Sequence, residues 1–189
     1  MRTVTRSRFA ALVGIALQAA SAGAITVTDG NVAATPDTCT LAQAIHAANT
    51  ANGVSDARMQ SQSSVGNCAG ADSGSNTIVF DAALAGATLT FAEADNFWFG
   101  PNALPPIASP IAIDGGAAGI TLRITNPLRL RFFFVGAETS SNTSQQLESP
   151  GPGSLSLTNL TLSGGIARGG DGDRGGAGAG LGGAIFNQG

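Results

Sequence analysis

In this chain of 189 residues, 43% of side chains are apolar and 11% charged, a balance that excludes compositional disorder. The formal charge of −3 argues against nucleic acid or an anionic membrane surface as the main partner. Glycine, with 27 copies, runs well above its usual share of about 7% and punctuates short apolar runs, as turn-rich β architectures require.

The chain opens as a cleavable secretory signal would. Arg2, Arg6 and Arg8 give a positive start, Phe9 to Leu17 forms a short apolar run, and Ala22-Gly23-Ala24 offers small side chains for cleavage. Gln18 and the following Ala, Ser and Gly residues dilute the run before it reaches the roughly 20 apolar residues that a membrane span needs. Cleavage is expected after Ala24, with Ala22 as the alternative. Losing three of nine arginines against twelve carboxylates takes the formal charge to −6. No later stretch is apolar enough for a transmembrane helix.

In an exported chain, the two cysteines Cys39 and Cys68 read as one disulfide. Closing 29 positions, it would contribute about 3–4 kcal/mol by the chain-entropy account. The alternative, a metal or catalytic thiol, needs ligands or a base, and the chain has one histidine and no Cys-x-x-Cys. No cofactor and no metal are expected.

Taken in order, the elements begin with a strand at Ile25-Thr26-Val27-Thr28 and a turn at Asp29-Gly30-Asn31. Thr40 and Gln43 then form a capping-box pair, and Leu41, Ala44, Ile45 and Ala48 fall on one helical face. His46 lies off that face and reads as a surface polar residue. Residues 50–76 are polar, without periodicity, and read as a loop. Short β-type runs follow at Thr77 to Phe80, Ala87 to Phe91, Ile111 to Asp114, Ile120 to Ile124, Phe132 to Val135, Leu155 to Thr158, Leu160 to Leu162 and Ala184 to Phe186. Most alternate, which gives each an inner and an outer side.

The runs recur about every 11 positions, as from Ile78 to Leu89 and from Ile111 to Leu122. That beat fits an all-β solenoid, and a β-sandwich is the competing architecture. The run Leu155-Ser156-Leu157-Thr158-Asn159-Leu160-Thr161-Leu162 favours the solenoid: one asparagine between two strands is too tight for a hairpin. Asn159 tolerates the left-handed backbone such a corner needs.

Several motifs carry a resemblance. Cys39-Thr40-Leu41-Ala42-Gln43-Ala44-Ile45 with Ala48-Asn49 resembles the CSLREA motif of exported bacterial β-helix proteins. Asn67-Cys68 with Gly74 to Phe80, Leu104-Pro105-Pro106-Ile107 with Ile111 to Gly115, and Leu155 to Gly165 are similar to later segments of that family. Gly182-Gly183-Ala184-Ile185-Phe186-Asn187 resembles the repeat of polymorphic outer-membrane proteins. Ala42 and Gln43 stand where the family has arginine and glutamate, and the insertion around Phe97-Trp98-Phe99 has no counterpart. The resemblance implies a right-handed parallel β-helix, an all-β solenoid, with a short N-terminal helical cap.

On this reading residues 1–24 are the signal, 25–76 hold the first strand, cap helix and disulfide-closed loop, and 77–189 are incomplete coils. The expected function is an exported surface or extracellular scaffold, adhesin- or passenger-like and non-enzymatic, secreted or held at the outer membrane. It would bind an unknown surface or glycan ligand and could associate through its uncapped C-terminal coil. The alternatives are a pectin-lyase-like carbohydrate-active enzyme and a glycan-binding module. Arg168, Asp171, Asp173 and Arg174 form the best charged cluster, weighed as acid and base or as calcium ligands against a solvated loop. Asp114 reads as a turn former. Phe97-Trp98-Phe99 reads either as a sugar-stacking loop or as cover for the cap or a coil edge. Arg123, Arg129 and Arg131 alternate and read as one outer face.

Overall fold

A computed structural model describes residues 23–31, 35–125, 129–137, 149–169 and 180–189. Nine strands and two α-helices follow one another in these segments. They are β1 (Gly23–Val27), α1 (Leu41–Ala51), α2 (Asp56–Met59), β2 (Asn76–Phe80), β3 (Thr88–Phe91), β4 (Pro110–Asp114) and β5 (Ile120–Ile124). Then come β6 (Phe133–Val135), β7 (Ser154–Thr158), β8 (Leu160–Ser163) and β9 (Ile185–Asn187). Of the expected signal, residues up to position 22 lie outside the described residues, whereas its last two, Gly23 and Ala24, open β1.

All the strand pairs are parallel, in sheets ordered β1-β2-β4-β7, β3-β5-β8 and β6-β9. This corrects the expected all-β solenoid. The chain combines helices with three separate parallel sheets of four, three and two strands, and no continuous helical closure joins them among the described residues. The 11-position beat measures the length of a strand plus its turn. It carries no information on how successive sheets join, and so it could not decide the architecture.

Register explains why these short strands hold. In the largest sheet Ile25 lies opposite Ile78, Ile78 opposite Ile113, and Ile113 opposite Leu157, so one apolar column crosses four strands. Leu89, Leu122 and Leu162 make a second column in the three-stranded sheet. A shift by one residue would turn every member of a column outward, so the shared core pins the pairing. β7 passes to β8 through Asn159 alone, at φ 55°, and the two strands enter different sheets. The expected left-handed asparagine is there, and its amide donates to Asp114 Oδ1 (3.1 Å). Asp114 also accepts from Gly116 N (2.9 Å), the turn-forming role read from the sequence.

Helix α1 has its expected capping box: Gln43 N donates to Thr40 Oγ1 (3.2 Å) and Thr40 N to Gln43 Oε1 (2.9 Å). Its surroundings differ from expectation. Leu41 through Asn49 are all buried, so the helix is enclosed on every side rather than lying with one face in water. His46 is buried too, at 2% exposure, which corrects the surface assignment. Its Nε2 donates to Asp56 Oδ1 (3.0 Å), while Nδ1 has no partner among the described residues. The segment read as loop contains α2, and α2 supplies that aspartate.

Asn49 fastens α1 to a stretch some sixty positions away. Its Nδ2 donates to Pro106 O (2.7 Å), and its Oδ1 accepts from Ala108 N (3.1 Å) and Ser109 Oγ (3.0 Å). Cys39 and Cys68 form the expected disulfide, with Cα atoms 4.8 Å apart. Inside the loop it closes, Gly66 (φ 57°) lies so near the Gln43 side chain and Thr38 O that a Cβ would collide with both. The bond thus ties the segment packed on the capping pair to the helix start.

Candidate functional site

The loop between Asp95 and Asn102 is built on buried amides. Asp95 accepts from Ser61 Oγ (3.0 Å), Ser63 N (3.1 Å) and Ser63 Oγ (2.7 Å), which pins residues 61–63 beneath it. Asn96 Nδ2 donates to Leu104 O (2.7 Å), and Asn96 Oδ1 accepts from Asn102 Nδ2 (2.8 Å). Asn102 Nδ2 also reaches Trp98 O and Gly100 O, both at 2.9 Å, and Asn102 N donates to Asn96 O (2.9 Å). The two asparagines close the loop from inside and leave Phe97, Trp98 and Phe99 at its tip.

Those three aromatics have three different environments, so neither single reading of the loop holds. Trp98 is half-buried: its ring stacks on Phe134 (6.0 Å between centroids, 7° between planes) and its Nε1 donates to Met59 O (3.0 Å). Phe99 packs against Phe134 and Phe186, each at 5.6 Å, yet stays 46% exposed. Phe97 is 70% exposed. Trp98 therefore acts as cover, and Phe97 and Phe99 as surface.

Phe99 has φ 49°, a left-handed value a bulky residue adopts only when its surroundings force it. Such conformations cost of order 1–3 kcal/mol and gather at functional sites. Arg131 binds the carbonyls of this turn: its Nη2 donates to Trp98 O (3.2 Å) and to Phe99 O, and its Nη1 donates to Leu181 O (3.1 Å). Its Cζ lies 5.2 Å from the centroid of the Phe186 ring, a cation–π contact.

Arg131 is only 2% exposed, which corrects its placement on an outer face with Arg123 and Arg129; Arg123 is exposed and Arg129 half-buried. Burial pushes the Arg131 guanidinium below its ordinary value, because its charge has been taken out of water. Its partners among the described residues are carbonyl oxygens and an aromatic face, none of them a carboxylate. Nothing in the sequence signals this: an arginine in an alternating run looks the same whether it points outward or inward.

Between the loop and the segment around Ile166 runs a groove of about 180 Å³, lined by Phe99, Arg129, Arg131, Ile166, Arg168 and Leu181 among others. A second hollow of about 380 Å³ lies along the edge formed by Ser154, Leu155, Leu157, Ile185 and Asn187. Of the charged cluster expected near the C-terminus, only Arg168 is described; Asp171, Asp173 and Arg174 lie outside the described residues. Among the described residues no group of three or more His, Cys, Asp or Glu side chains is placed to hold a metal. No helix of these residues is long and apolar enough to cross a membrane. Compared with known family models, curated proteins and solved structures, the chain matches none.

Proposed function

We propose that this chain is an exported protein that works outside the cytoplasm as a surface or extracellular scaffold of adhesive type rather than as an enzyme. The observation that carries the reading is the Cys39–Cys68 disulfide. Disulfides form and persist in oxidising compartments and are rare where thiols are kept reduced. This bond consumes both cysteines of the chain and ties down a capping pair that is buried in the core. The arginine-led, small-residue-ended N-terminal segment supplies a route to such a compartment. The likeness of the segment from Cys39 to Asn49 to the CSLREA motif supports the same placement.

The scaffold role follows from how the chain spends its residues. Three parallel sheets in register make long apolar columns, and polar side chains such as Asn49 and Arg131 are spent on binding backbone carbonyls. Such a framework presents surface loops in fixed positions. Expression of the full chain in a bacterial host, followed by fractionation, N-terminal mass spectrometry and thiol alkylation, tests the reading. The expected product lies outside the cytoplasm, begins at Ile25 and takes up no alkylating agent. An unprocessed cytoplasmic chain with two alkylated cysteines would overturn it.

A further inference from the structure

We propose that Asn52 is a spontaneous deamidation site that the fold holds shut and that, once reacted, no longer fits its place. Asn52-Gly53 is the single Asn-Gly pair of the sequence. In such a pair the glycine backbone nitrogen attacks the asparagine Cγ. The new N–C bond closes a succinimide ring, and the attacking nitrogen's proton goes to Nδ2, which leaves as ammonia. Water then opens the ring to aspartate or isoaspartate. Glycine favours this chemistry, because it has no Cβ to hinder the attack and its backbone turns freely.

The end of α1 calls for both residues. Asn52 caps the helix, its N donating to Asn49 O (3.0 Å), and Gly53 follows at φ 76°, the left-handed position that glycine fills most readily. A reactive pair is thus built into the helix end, and the surrounding bonds keep it unreactive. At ψ 13° for Asn52, Gly53 N continues the helical turn away from Cγ, and its N–H donates to Thr50 O (2.9 Å). The leaving group is tied as well: Nδ2 donates to Ala48 O (2.8 Å) and Gly74 O (3.0 Å). Oδ1 accepts from Gly74 N (2.8 Å). Closing the ring means turning ψ and the side chain together, which breaks these bonds. The Gly74 side of the clamp is itself fixed by buried Asn76. Its Nδ2 donates to Asp72 O (2.8 Å) and Gly74 O (3.2 Å), and its Oδ1 accepts from Asp72 N (2.8 Å).

The product cannot be seated again. A carboxylate at position 52 has no hydrogen to give Ala48 O or Gly74 O. It also adds negative charge at a helix C-terminus, where the partial charge is already negative. Isoaspartate lengthens the main chain at the cap besides. An opening of the clamp that lasts long enough for reaction therefore becomes permanent.

The test is peptide mapping by mass spectrometry of the oxidised full chain, aged at mildly alkaline pH in native buffer and in urea. In urea, Asn52 should convert to aspartate and isoaspartate ahead of every other asparagine. In native buffer its conversion should be at least about tenfold slower, since it waits on local opening. Gly53→Ala should slow the reaction in urea severalfold, a comparison that needs no native structure from the variant. Asn52→Asp, the aspartate product made directly, should melt at a lower temperature than the parent or fail to fold. Equal rates for Asn52 in both buffers, or an earlier reaction at another asparagine in urea, would overturn the proposal. So would a Gly53→Ala chain that reacts as fast as the parent in urea, or an Asn52→Asp chain that melts with it.

Discussion

The four-stranded sheet has two edges, β1 and β7, built from the same alternation but meeting different fates. Ile25 and Val27 on β1 are fully buried, whereas Leu155 and Leu157 on β7 are only partly so, although Ile25 and Leu157 belong to one column. The difference lies in what covers each open side. Helix α1 packs on β1 and β2, and Thr28 N and Asp29 N donate to Cys39 O, which anchors the end of β1 to the disulfide. Along β7 there is instead the 380 Å³ hollow. Alternation thus decides which side chains point inward, and the cover on the open side decides how much water they lose.

Four substitutions probe that contrast. Ile78→Ala, in the middle of the column, should cost about 2–5 kcal/mol, as for other large-to-small changes in a core. Leu157→Ala should cost about half as much, because less of its area leaves water on folding. Urea denaturation of both variants measures the gap, and equal losses would break the comparison. Asn49→Ala strips the partners from Ala108 N, Ser109 Oγ and Pro106 O, and should cost about 1–3 kcal/mol through buried groups left unpaired. The loss should appear as faster proteolysis around residues 104–109. Thr40→Ala removes one half of the capping box and should cost about 1 kcal/mol, visible as a lower thermal midpoint with the sheets intact.

Much of the secondary structure was legible in the sequence, because it depends on near neighbours. The capping box, the helix starting at Leu41, the left-handed Asn159 and every strand position came from spacing alone, with ends shifted by a residue or two. What escaped depends on distant partners. His46 looked solvent-facing because a helical wheel shows one apolar side; α2 and the residues 104–109 enclose the other. Arg131 looked like a surface charge because nothing nearby reveals that the carbonyls of Trp98, Phe99 and Leu181 converge on it. The solenoid expectation failed for the same reason: strand spacing is local, and the division into three sheets is not. At the candidate site, the aromatic triplet and the arginines were visible, but the division into a covering Trp98, an exposed Phe97 and Phe99 and a buried Arg131 was not.

Hydrogen exchange of the oxidised and reduced protein, read by mass spectrometry, tests most directly whether the disulfide-tied helix seals one edge. In the oxidised protein, amides of α1, β1 and β2 should exchange slowly and those of β7 and β8 faster, since local opening follows local burial. Reduction should speed exchange in α1 and β1 and leave β7 and β8 as they were. Equal protection at both edges before reduction, or no change in α1 and β1 after it, would contradict the account.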